Sequence, residues 1–251
     1  MKRNLFFLAA LVVSSFSLSA KIVESRNISD VLGYIHEDTL MIYDIDNTLA
    51  KENTESGWGG DQWVYALVNQ FIEHGLTPSK AWDIALPIYF SAQHSKGFGL
   101  VPIEDQTISV FKESQQKADK VIALTARSYP LIQLTVNFLH AIDIDFRDNG
   151  FEEEFVFDEV PSKYTHGMFF CGHGDKGQAL LQLFHRIDYA PKKVVFIDDK
   201  MKNIKAVERA VEGLGIEFVG IHYLFLEEEI KNFKLTDVVP EETLLTPVVV
   251  S

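Results

Sequence analysis

Asp44 and Asp46 stand two positions apart at the end of the apolar run Leu40, Met41, Ile42, Tyr43, and Asn47 and Thr48 follow them. Alternate side chains of an extended segment share one side, so the two carboxylates start out facing the same way. Their repulsion is costly without a cation or a proton between them. Two further apolar runs stop just as abruptly at polar residues: 121–124 before Thr125, Ala126 and Arg127, and 194–197 before Asp198 and Asp199. Phosphoryl transfer needs a nucleophile, neutralisation of the equatorial oxygens and a proton for the leaving alcohol. These clusters offer carboxylates, a hydroxyl and metal ligands for that purpose, and Lys176 offers a compact positive charge.

In chain order the polar points are Asp44 with Asp46, then Thr125, then Lys176, then Asp198 with Asp199. This resembles the haloacid dehalogenase (HAD) superfamily, whose four motifs occur in that order: D-x-D-x-T, a Ser or Thr after a strand, a Lys on a helix, and a paired acidic motif. The segment Asp44, Ile45, Asp46, Asn47, Thr48 matches the first motif fully. Response-regulator receivers share the residue types, but there the acidic pair comes first.

The resemblance implies an exported bacterial phosphatase with a helical cap between the first two motifs. It makes Asp44 the nucleophile and Asp46 the acid and base that serves the leaving group and then the water. Mg²⁺ is the implied cofactor, held by Asp44 and Asp198 with the backbone carbonyl of Asp46, while Asp199 is either a further ligand through water or an orienter of the others. Thr125 and the N–H of Ala126 would hold phosphate oxygens, and Lys176 would join nucleophile and phosphate. Arg127 either touches a substrate anion or makes a surface ion pair. Trp58, in a glycine-flanked loop after the first motif, is the candidate substrate contact from the cap. Asn203 is expected to cap a helix start rather than assist the acidic pair.

Continuous apolar runs suit strands covered on both faces, so the three runs read as parallel strands of an α/β, doubly wound sheet whose ligands gather at the carboxyl ends. The interval from residue 46 to residue 121 greatly exceeds the roughly dozen residues of a crossover. The surplus is an insertion, mainly helical, at 51–105, between core segments 21–50 and 106–251. Val64, Leu67, Val68, Phe71 and Ile72 follow helical spacing up to Gly75, and Thr77 with Pro78 marks a second helix start, bent near Pro87. Helices are also predicted over 27–36, 105–117, 130–142 and 174–187, a hairpin decoration over 151–171, and a strand over 216–223.

Met1, Lys2 and Arg3, the apolar stretch 5–13 and the small residues ending at Ala20 read as a secretory signal over 1–20. The chain's formal charge is −13, and loss of Lys2 and Arg3 makes it two charges more negative, which disfavours nucleic acid and anionic membranes. The expected protein is periplasmic or secreted, acts on a small-molecule phosphate ester and contacts no membrane once the signal is gone. The lone Cys171 forms no internal disulfide and suits a small buried site. Two other functions fit the motifs: a phosphotransferase using the same phosphoenzyme, and a secreted interaction protein on this scaffold without turnover.

Overall fold

The computed structural model describes residues 20–54, 56–157, 162–172 and 174–235. The signal read over 1–20 lies outside them except for Ala20. The first strand, β1 (Lys21–Ser25), lies at one edge of the sheet, and the four strands anticipated from the sequence build its centre: β2 (Thr39–Tyr43), β5 (Lys120–Thr125), β9 (Lys193–Asp198) and β10 (Glu217–Tyr223). Between β2 and β5 the short strands β3 (Ala50–Glu52) and β4 (Leu100–Pro102) pair antiparallel as a separate ribbon. After β5 come β6 (Phe155–Phe157), β7 (Ser162–Thr165) and β8 (Met168–Phe170). The main sheet runs β1-β10-β9-β2-β5-β8-β7-β6, parallel from β1 to β8 and antiparallel over its last two pairings.

The order explains the site. The chain moves from β2 to β5 on one side and later returns to β9 on the other, so the carboxyl ends of these three strands border one crevice. Along them alternate residues serve opposite cores. Met41, Tyr43, Val121, Ala123, Val195 and Ile197 face a layer containing α3 (Thr107–Lys117) and α4 (Ile132–Ala141). Leu40, Ile42, Ile122, Leu124, Val194 and Phe196 face α5 (Lys176–Ile187) and α6 (Met201–Glu212). Both faces are dry, which is why the runs carry no polar alternation.

The 53–99 segment, between the ribbon strands, carries α1 (Asp61–Glu73) and α2 (Pro78–Gln93). Trp63, Leu67, Phe71, Ala81, Ala85 and Tyr89 form its own apolar core, to which Leu131 also belongs. Thr77 caps α2 as its spacing predicts, accepting from the N–H of Lys80, and the helix continues through Pro87. Gly60 begins α1 where the Glu52 carboxylate presses close. A Cβ there would lie 2.2 Å from Oε2 of Glu52.

Two sequence expectations change. Residues 27–36 hold a short 3-10 helix, Ile28–Gly33, capped by Asn27, rather than an α-helix. Within the hairpin read over 151–171, β6, β7 and β8 do pair antiparallel, but they extend the main sheet rather than decorate it, because β8 pairs parallel with β5. At the opposite edge β1, which no sequence pattern marks, pairs with β10. A last short helix, α7 (Glu227–Asn232), follows β10.

Candidate active site

Asp44 leaves β2 with its N–H donating to the carbonyl of Ile197 on β9, 3.0 Å, so the chain is still held as a strand there. Asn47 then adopts φ 60, the left-handed conformation that Asn tolerates better than most residues, and the N–H groups of Leu49 and Ala50 both reach back to the carbonyl of Ile45. This tight turn presents Asp44 and Asp46 at the sheet's edge. Lys176 is the first residue of α5, which Asp175 caps by accepting from the N–H of Gln178 at 3.0 Å. Gly177 lets α5 close on α6, because a Cβ there would lie 2.2 Å from the carbonyl oxygen of Ala206.

The Lys176 ammonium bridges Oδ1 of Asp44 at 2.7 Å and Oδ2 of Asp198 at 2.8 Å, with all three side chains buried. A lysine at a helix start opposes the helix dipole, and the two carboxylates supply the compensation. Asp198 is further held at Oδ1 by the N–H of Lys200, 2.7 Å. The Asn203 amide reaches both of its oxygens at 3.0 Å. Asn203 therefore serves Asp198 rather than capping α6, whose N-cap residue, Lys200, makes no side-chain cap. One oxygen each from Asp44, Asp198 and Asp199 lie within 4.8 Å of one another.

Burial, and then the neighbouring Asp198 carboxylate, push the Asp44 carboxyl up to about 7 in spite of Lys176. Burial also holds Asp199 well above the usual carboxylate range, with Asp198 and Asp44 adding to it and Lys200 opposing. For Lys176 burial alone would lower the ammonium, yet Asp198 and Asp44 outweigh that and hold it above its ordinary value. Oδ1 of Asp199 is buried without a hydrogen-bond partner. An unpartnered carboxylate oxygen beside two further carboxylates is stabilised by a hard divalent cation, and an all-oxygen donor set suits Mg²⁺.

Thr125 ends β5 fully buried; its Oγ1 accepts from the N–H of Arg127 at 3.1 Å, which leaves its own proton available for donation. Its carbonyl accepts from both the N–H and the Sγ of Cys171, at 3.0 and 2.9 Å. Cys171 is thus a buried positioner of the loop, and burial pushes its thiol up to about 12. Ala126 is exposed beside the cluster.

Arg127 is neither at the surface nor open to solvent. Its side chain is 2% exposed and clamps Asp46, with Nε at 2.9 Å and Nη2 at 2.7 Å from the two carboxylate oxygens. The remaining arm, Nη1, reaches Gln93 of α2 at 3.1 Å and Thr135 of α4 at 3.2 Å.

Over Asp46 lies a cavity of about 50 Å³, walled by Asp61, Val64, Tyr65, Trp82, Leu86, Tyr89 and Phe90 above and by 126–128 and Leu131 below. Trp58 does not line it; its ring packs edge-on against Trp63 and Phe98 in the core of the 53–99 segment. A separate, open cleft of about 560 Å³ reaches Asp199 between α1 and α7, and Asn47, Lys200, Lys202 and His222 are among its walls.

Sequence reasoning assigned no role to five residues here. Asp61 receives Lys200 at 2.7 Å across the two segments, Gln93 and Thr135 hold Arg127, and Asn47 lies 3.5 Å from both Asp61 and Asp199. Only Lys200, next to the acidic pair, and Asn47, inside the first motif, carried a positional signal.

Comparison with known proteins relates residues 24–239 to a family described as "Protein of unknown function (DUF2608)". A relative named "Putative outer membrane protein" from Chlamydia pneumoniae is 26% identical over 234 residues, 89% of this chain and 84% of that protein. One of the same name from Chlamydia trachomatis is 24% identical over 198 residues, 78% of this chain and 72% of that protein. Among solved structures, a haloacid dehalogenase-like family hydrolase from Streptococcus pneumoniae is similar with a TM-score of 0.42 and 14% identity, covering 72% of this chain and 93% of its own.

Proposed function

We propose that this chain, which belongs to the DUF2608 family, is a metal-dependent phosphomonoesterase working through an aspartyl-phosphate. The observation that carries the reading is the ammonium of Lys176 set between Asp44 and Asp198, with Asp199 beside them keeping an unpartnered buried oxygen. A purely structural ion cluster has no use for that last carboxylate.

Asp44, Asp198 and Asp199 would hold Mg²⁺, joined by the carbonyl of Asp46 as the motif resemblance implies. Bound there, the ion would neutralise phosphoryl charge and help orient the ester for in-line attack. Lys176 holds Oδ1 of Asp44, so Oδ2 attacks phosphorus and the bond to the leaving oxygen breaks. Thr125 Oγ1–H and the Ala126 N–H donate to phosphoryl oxygens, and Lys176 offsets charge as it develops. Asp46 would act as the acid for the departing alcohol, with one oxygen turned out of the Arg127 clamp to carry the proton, and the alcohol would leave toward the aromatic-walled cavity over Asp46. Water then attacks phosphorus while Asp46 takes its proton, and inorganic phosphate leaves Asp44 free.

We place the protein beyond the cytoplasmic membrane. The leader read over 1–20 and the outer-membrane naming of its relatives support this. Among the described residues no helix is long and apolar enough to cross a membrane.

Hydrolysis of 4-nitrophenyl phosphate with and without Mg²⁺ tests the reading. Asp44→Asn is expected to remove turnover by at least ~10³-fold with the circular dichroism unchanged; retained turnover would take the nucleophile's role from Asp44. Added glycerol, with a search for glycerol phosphate, separates hydrolysis from transfer to an alcohol.

A further inference from the structure

We propose that Arg127 is a positioning residue that makes the placement of Asp46 depend on how the α1–α2 segment is seated; this rests on the phosphatase reading only for the role given to Asp46.

Arginine is rarely buried, since taking a guanidinium out of water is costly unless its fork is fully engaged. Here the side chain is 2% exposed. Of the five N–H donors a guanidinium carries, four are in use: two to Asp46, one to Gln93 and one to Thr135. The three acceptors belong to three different parts of the molecule. Asp46 is in the turn after β2, Thr135 is on α4, and Gln93 is the last residue of α2. Each is itself fixed. Thr135 donates to the carbonyl of Leu131 at 2.8 Å, and the Gln93 amide donates to the carbonyl of Gly59 at 3.0 Å.

The guanidinium is therefore located by triangulation, and one of its three supports rides on the segment that roofs the cavity. If that roof lifts, the Gln93 arm is lost and the fork is free to turn, taking the Asp46 carboxylate with it. A substrate anion has no such claim on Arg127, because it would have to displace Asp46 from a bidentate pair. A lysine, with one point charge and no planar fork, would hold Asp46 at one oxygen only.

The test compares an aryl ester, 4-nitrophenyl phosphate, with an alkyl ester, propyl phosphate. The proteins are wild type, Arg127→Met, Arg127→Lys, Gln93→Ala, Asp46→Asn and the Asp46→Asn/Arg127→Met double variant. Because an alkoxide needs more help in leaving, Arg127→Met is expected to lower kcat for the alkyl ester ~10-fold more than for the aryl ester. Arg127→Lys should recover little of this, and Gln93→Ala should err in the same direction by ~3-fold. The double variant should be no slower than Asp46→Asn alone. Equal losses on both esters, a rise in KM without a change in kcat, or a double variant losing the product of the single losses would overturn the assignment.

A readout without turnover runs beside it. Thermal-unfolding cycles for Arg127 with Asp46 and Arg127 with Gln93 are expected to be non-additive, and additive midpoints would refute the linkage. If wild-type protein hydrolyses neither ester, the phosphatase reading fails while these cycles still decide whether Arg127 joins the two segments.

Discussion

Two lysines one strand apart in the chain show how differently the strand tips and the roof above them are built. Lys176 lies between two core carboxylates, and all three side chains are 7% exposed or less. Lys200 reaches across to Asp61 on α1, and that pair remains 26% and 17% exposed. Buried charge must be fully paired and cannot easily rearrange, whereas a partly solvated pair can exchange its partner for water at little cost. The strand tips are thus fixed by buried charge, and the roof is held by aromatic packing, by the buried Arg127–Gln93 bond and by the more replaceable Lys200–Asp61 pair.

The comparison is broken most directly at Lys176. Lys176→Met leaves Asp44 and Asp198 buried without their cation and is expected to cost about 3–5 kcal/mol of folding free energy, read from urea unfolding. A loss under 1 kcal/mol would mean that the cluster is more hydrated than its burial indicates.

Metal titration sharpens it next. Asp44 is pushed up to about 7 by burial and by Asp198, so below that pH a cation must displace a proton. Mg²⁺ affinity, followed by calorimetry, is expected to fall roughly tenfold per pH unit between about 7 and 5. An affinity flat across that range would contradict the shared burden of the three carboxylates.

Glu52, on the ribbon below the roof, gives a third and smaller effect. Burial, with Asp46 adding to it, raises its carboxyl from 4.5 to about 7. A folded value above the unfolded one means the penalty is absent below about 4.5 and fully developed above about 7. Glu52→Gln should therefore raise the Tm at pH 8 by about 2–4 °C and leave it little changed at pH 4. Equal shifts at both values would point to packing instead.

Lys200→Met should do least: under ~1 kcal/mol in folding and a several-fold rise in KM for any ester, as the roof seats less firmly. A folding loss matching that of Lys176→Met would erase the distinction between the two regions.

What could be read in advance follows the same division. The apolar runs ending at Asp44, Thr125 and Asp198 were visible because strands dry on both faces must be apolar throughout and can change character only at their tips. Thr77 before Pro78 announced α2 because a cap is a local matter of a few bonds. By contrast β1, with Lys21 and Glu24 in a five-residue edge strand, has no pattern separable from a loop. The ribbon strands are three residues each, too short for any period. Residues 151–171 read as a hairpin, but the junction of β8 with β5 is a tertiary pairing that no run of residue types encodes. Arg127 shows the limit most clearly. Its position after Thr125 drew notice, yet its partners Asp46, Gln93 and Thr135 come from three segments, and only folding selects them.

The antiparallel ribbon has a consequence for how such proteins diversify. Glu52 lies opposite Leu100, so the chain departs and returns at neighbouring points. Everything from 53 to 99 could be cut out and the ends rejoined by a two-residue hairpin turn, or another insert grafted in, with no change of register in the main sheet. On the proposed phosphatase reading, ester preference and reaction centre would in this way be inherited separately, one as an exchangeable cassette and the other as a fixed chassis.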